Sequence, residues 1–118
     1  MTEHDWATVL LDLTGVEEKA EFMDRCARAL ELPEWFGRNW DALADSLTDV
    51  TVWPSAAERG LRVVVTGWQG YATARPGEWA IAQEVFAEAV DHMRERGPAL
   101  SVVLALGGSD QPSTDMTG

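Results

Sequence analysis

The sequence predicts an α/β fold: a small three-stranded parallel sheet covered by three to four helices. Three short runs, TVLLDL at 8–13, LRVVVT at 61–66 and LSVVLAL at 100–106, are apolar almost throughout and stand far apart in the chain. Between them lie longer stretches whose apolar residues recur every three or four positions. Apolar runs separated by helical patterns mark strands of a parallel sheet, because each crossover between parallel strands carries a helix across a face.

The elements come in order. Residues 8–13 form the first strand. Thr14, with Glu17 three positions on, makes a capping box, and the helix it opens carries Val16, Ala20, Met23, Ala27 and Leu30 on one face. The next unit, residues 32–47, reads LPEWFGRNWDALADSL. Pro33 and Glu34 supply a fixed φ and an acid, both suited to a first helical turn. Gly37 interrupts, and Asn39 is a good N-cap for the run beginning at Trp40. Phe36, Trp40, Leu43 and Leu47 fall at steps of four, three and four, one stripe of a helix. A connection at 48–60, bearing Thr, Pro and Ser, leads to the second strand at 61–66. Residues 67–77 are irregular, with a short helical turn around Tyr71. The last long helix, 78–94, has a core face of Trp79, Ala82, Phe86, Ala89, Val90 and Met93. Gly97-Pro98 stops it, and 100–106 is the third strand. Residues 107–118 are polar and carry Gly, Ser and Pro, the composition of a flexible tail. Residues 1–106 are thus read as one domain.

Composition narrows the function classes. A chain of 118 residues with 46% hydrophobic content supports one globular core. No apolar run approaches the ~20 residues of a membrane helix. The first residues lack the basic start and apolar centre of a secretory signal. One cysteine, Cys26, excludes an internal disulfide and fits a reducing cytoplasm. Six tryptophans are many for this length; some belong to a core, but Trp is also enriched at binding hot spots. A net charge of −11 argues against nucleic acid or an anionic membrane as partner and favours a basic one, steered by the field. The acids are concentrated: over 31–49, Glu31, Glu34, Asp41, Asp45 and Asp49 face Arg38 alone. Asp41 and Asp45 lie one turn apart on the side away from the apolar stripe. Like charges at that spacing oppose helix formation, so a positive group suits them.

A search for enzyme chemistry returns little. His4 and His92 are the only histidines, no Cys/His pair has metal-ligand spacing, and no nucleophile elbow or phosphate-binding glycine loop is present. Asp41, Asp45 and Glu88 remain. Two carboxylates can serve as acid and base or hold Mg²⁺ through water, but no nucleophile or further ligand accompanies them.

The residues of the 32–47 unit also carry a family resemblance. Pro33-Glu34-Trp35-Phe36-Gly37, then Asn39, Asp41-Ala42-Leu43, Asp45 and Leu47-Thr48, closely resemble the signature of the barstar family, intracellular inhibitors of barnase-type secreted ribonucleases. Val85-Phe86-Ala87-Glu88-Ala89 is similar to the Val-Phe-x-Glu-Ala of that family's last helix. In order and spacing the resemblance spans 10–106. It implies a barstar-like fold, no catalytic residues, no metal and no cofactor. It also implies a basic, extracellular-type ribonuclease as partner of a cytoplasmic monomer in a 1:1 complex. The partner-binding residues it implies are Trp35, Gly37, Asn39, Trp40, Asp41, Ala44, Asp45 and Glu88. Asp45 matches the family's main anchor and would enter the phosphate-binding centre. Asp41 and Glu88 would take flanking cations. Trp35 would stack on a catalytic histidine or base-binding surface, and Gly37 and Asn39 would shape the loop. The chain departs from the pattern at Trp35 and Phe36 (two tyrosines in the family), Trp40 (leucine), Ala44 (tryptophan) and Ser46 (cysteine), and its 48–60 connection is longer. The acidic anchors remain. Two targets stay open, a guanyl-preferring ribonuclease and a basic nuclease toxin of another fold, with a carboxylate-dependent enzyme as the more distant reading.

Overall fold

The computed structural model describes residues 6–33, 36–54 and 57–106. Three strands, β1 (Ala7–Asp12), β2 (Gly60–Thr66) and β3 (Ala99–Leu104), form one sheet in the order β1-β2-β3. Both pairs are parallel, with Leu10 opposite Val64 and Val64 opposite Val103. Four helices fill the crossovers: α1 (Lys19–Ala29) and α2 (Trp40–Leu47) between β1 and β2, then α3 (Gln69–Ala74) and α4 (Pro76–Arg96) between β2 and β3. The fold class read from the sequence is the one observed.

Among the described residues the sheet is covered on one face only. Leu11, Leu61, Val63, Val65 and Leu100 are buried against the helices. On the other face Leu10 and Val103 remain 60% and 43% exposed, among Thr8, Asp12, Arg62, Thr66 and Ser101 at alternate positions of the same ladders. Apolar runs therefore do not mean burial on both faces here. The core centres on Phe22, whose ring lies 5.4 Å from Tyr71, 5.6 Å from Trp40 and 6.3 Å from Phe86. Separations in this range favour offset or tilted aromatic pairs. Tyr71, fully buried, donates its hydroxyl to Glu78 Oε1 at 2.9 Å, tying α3 to α4. Burial first, and this carboxylate second, push the phenol pKa up.

One local expectation fails for a physical reason. The Thr14–Glu17 capping box does not form: Gly15 turns the chain with φ +82, the Thr14 amide donates to Asp12 Oδ1 at 3.0 Å, and α1 begins at Lys19. Glu21, three residues after the N-cap Glu18, instead reaches back to the Glu17 amide at 3.0 Å. The buried face of α1 is made by Phe22, Met23 and Cys26, while Ala20, in the first turn, is exposed and Ala27 is half-buried. After α1, Leu32 and Pro33 lead into the loop before α2, and residues 34–35 lie outside the described residues. The Phe36 amide closes a turn on the Pro33 carbonyl at 3.0 Å, and α2 waits for Asn39. The last helix starts earlier than its apolar face, because Pro76 occupies its first turn. Val90 on that helix is half-buried rather than core. The 48–60 connection contains a 3-10 turn, Val50–Val52, and a further turn closed by the Ala57 amide on the Pro54 carbonyl at 2.9 Å. The 107–118 segment, expected as a tail, lies outside the described residues.

Candidate functional site

Within the acidic stretch, residues 40–47 form one short helix, α2, with a built entrance. Asn39 is its N-cap: Oδ1 accepts from the Ala42 amide at 2.7 Å while Nδ2 donates to the Gly37 carbonyl at 3.3 Å. Both polar atoms of this side chain are spent on the loop and the cap. Gly37 is tight against the same cap, since a Cβ there would stand 3.2 Å from Asn39 Nδ2 and 3.4 Å from Ala42 Cβ. The left-handed residue of the loop is not this glycine but Arg38, at φ +54. That conformation costs a non-glycine residue on the order of 1 kcal/mol, and two contacts offset it. The Arg38 Nε donates to Asp24 Oδ1 on α1 at 2.9 Å, and the guanidinium lies 6.0 Å from the centre of the Phe36 ring.

Leu43 and Leu47 anchor α2 in the core, which leaves Asp41 and Asp45 on its outer side. Glu88 is exposed on α4, the helix against which α2 packs. None of these three carboxylates makes an ion pair or side-chain hydrogen bond among the described residues. The one base in the sequence segment, Arg38, is committed to Asp24. Ala44 is half-buried, and its carbonyl accepts the Thr48 hydroxyl at 3.0 Å. Trp40 is also half-buried, with its ring turned onto Phe22. Trp35 lies outside the described residues. Of the other tryptophans, Trp53 and Trp79 are buried, and Trp68 stacks on Trp79 at 5.5 Å while donating to the Ala105 carbonyl at 2.8 Å.

The helix exit is held as firmly as its entrance. Trp53 Nε1 donates to the Ser46 carbonyl at 3.2 Å, and Asp49 caps the 3-10 turn through the Thr51 amide at 3.0 Å. In the sequence Asp49 is one acid among several, although Asp-x-Thr is a local capping signal. Asp24, fourteen residues from Arg38, had no sequence signal at all. Cys26 is fully buried, and burial pushes its thiol pKa up, so it packs as a small hydrophobe. Among the described residues no three His, Cys, Asp or Glu side chains gather into a metal-binding group. No described helix is long and apolar enough to cross a membrane.

Exposed carboxylates on a rigid helix can accept hydrogen bonds from cations, and with arginine the pairing can be bidentate. Comparison with protein families gives one finding: residues 6–105 match the family model described as Barstar (barnase inhibitor). No curated protein matches the chain.

Proposed function

Because this chain belongs to the barstar family, we propose that it inhibits a secreted, cationic, guanyl-preferring ribonuclease by laying α2 and the loop before it into the enzyme's active site. A ribonuclease lines that site with Arg, Lys and His to hold phosphates and stabilise developing charge. Asp45 takes the place of a phosphate there, Asp41 and Glu88 take flanking cations, and Gly37 and Asn39 give the loop its shape. Trp35, Trp40 and Ala44 supply the surrounding contact area. The inhibitor acts as a cytoplasmic monomer in a 1:1 complex and carries out no catalysis, with neither metal nor cofactor.

The observation that supports this reading best is the pairing pattern. The acids of α2 are unneutralised within the described residues, while Arg38 is turned onto Asp24. A helix that only needed solubility would gain from an internal partner for such neighbouring charges.

The test is inhibition of a purified barnase-type ribonuclease by the wild-type chain and by Asp45→Ala, at low and moderate salt. Wild-type inhibition that weakens with salt and falls by at least roughly 100-fold in the variant is expected, since truncating one partner of a desolvated charge pair costs several kcal/mol. Absence of inhibition at micromolar excess would exclude this target and turn the search to a basic nuclease toxin of another fold.

A further inference from the structure

A cavity of about 220 Å³ opens between α2, the loop before it and the 3-10 turn after it. Its apolar lining comes from Phe36, Ala42 and Val52, and its polar lining from Asp45, Asp49 and Ser46. The two aspartates are exposed, whereas Ser46 is only 8% exposed. The Ser46 hydroxyl has no hydrogen-bond partner among the described residues. Buried polar atoms are nearly always paired, so an unpaired hydroxyl on a residue that lines the cavity leaves a place for a donor or acceptor from outside.

Size and charge restrict what arrives. At ~30 Å³ per water the space equals about seven waters, below the ~300 Å³ at which small-molecule sites begin. A nucleotide is disfavoured, because its phosphates would meet two carboxylates. An extended side chain fits, its methylenes along Phe36, Ala42 and Val52. Its head meets acceptors spread over three residues. Both oxygens of Asp45 are unengaged among the described residues, whereas Asp49 has given Oδ1 to Thr51 and keeps Oδ2. A planar guanidinium offers five N–H donors in a fixed fork, while an ammonium is a compact point charge.

We propose that Asp49 and Ser46, together with Asp45, form a socket for one arginine side chain of the bound enzyme, which makes Asp49 and Ser46 partner-binding residues. The inference rests on the inhibitor reading and adds to it a second carboxylate and a hydroxyl beyond the aspartate anchor.

The experiment has two arms, so that failure of the socket and failure of the target are distinguishable. In the first, wild type, Asp49→Asn and Ser46→Ala are titrated against a barnase-type ribonuclease. Asn keeps the oxygen that accepts from Thr51, so the turn is preserved, and thermal melts verify folding. Asp49→Asn is expected to weaken binding roughly tenfold at low salt and less at high salt, with Ser46→Ala losing a smaller factor. Full affinity in Asp49→Asn would overturn the socket while leaving the inhibitor reading intact. In the second arm, N-methylguanidinium is titrated into the inhibitor alone and followed by amide NMR, with sodium chloride at equal ionic strength as control. Saturable shifts at Asp45, Ser46 and Asp49 that vanish in Asp49→Asn support the socket even if the ribonuclease does not bind. Shifts that match the salt control, or persist in the variant, overturn it.

Discussion

Asp49 shows how a single residue serves two neighbours. Its Oδ1 accepts the Thr51 amide at 3.0 Å and the Thr51 hydroxyl at 2.5 Å. The side-chain bond first, and the backbone bond second, hold its carboxyl below the ordinary aspartate range. A folded value below the unfolded one, ~3.9, contributes stability that is present above the unfolded value and fades as pH falls through the folded one. Exposure keeps that contribution small. In a carboxyl NMR titration Asp49 should protonate at lower pH than a free aspartate, and Thr51→Val should bring the midpoint part of the way back. A midpoint untouched by Thr51→Val would remove the assigned cause. The charge of Asp49 therefore persists through the neutral range in which a cationic partner would meet it.

At the scale of elements, Asn39 carries the short helix α2. Eight residues are too few to be stable alone, so the cap and the Leu43 and Leu47 anchors decide whether the helix exists. Asn39→Ala should cost about 1 kcal/mol in a urea melt, and it should loosen the loop as well, because Nδ2 holds the Gly37 carbonyl. An unchanged midpoint would mean that the core alone fixes the helix. This cap was legible in the sequence, as were the three strands and the last helix, because each has an unbroken period or an explicit terminator. The Thr14 box was not legible: its spacing is right, but Gly15 lets the chain turn before the helix begins. Within the candidate site the acids of α2 could be read from spacing. The Asp24–Arg38 pair and the Ser46 cavity depend on tertiary packing, which no local pattern encodes.

Over the whole molecule, the net charge of −11 sets the field and local pairing shapes it. Arg38 and Asp24 are 49% and 52% exposed, so their pair contributes only ~0.2–1 kcal/mol to stability. Its effect on the field is larger than its effect on folding. Asp24→Asn should leave the melting temperature nearly unchanged and slow association with a basic partner at low salt, the difference shrinking as salt rises. An unchanged association rate would mean that Arg38 is already hidden from the approaching enzyme. Asn39, the Arg38–Asp24 bridge and the Trp53–Ser46 hydrogen bond together fix both ends of α2 before any partner arrives. Ordering a flexible side chain on binding costs about 0.5–1.5 kcal/mol each. Here that loss of freedom occurs on folding, so an encounter would begin with a surface already in shape, and its affinity would be determined by contact rather than by the entropy of a loop becoming still.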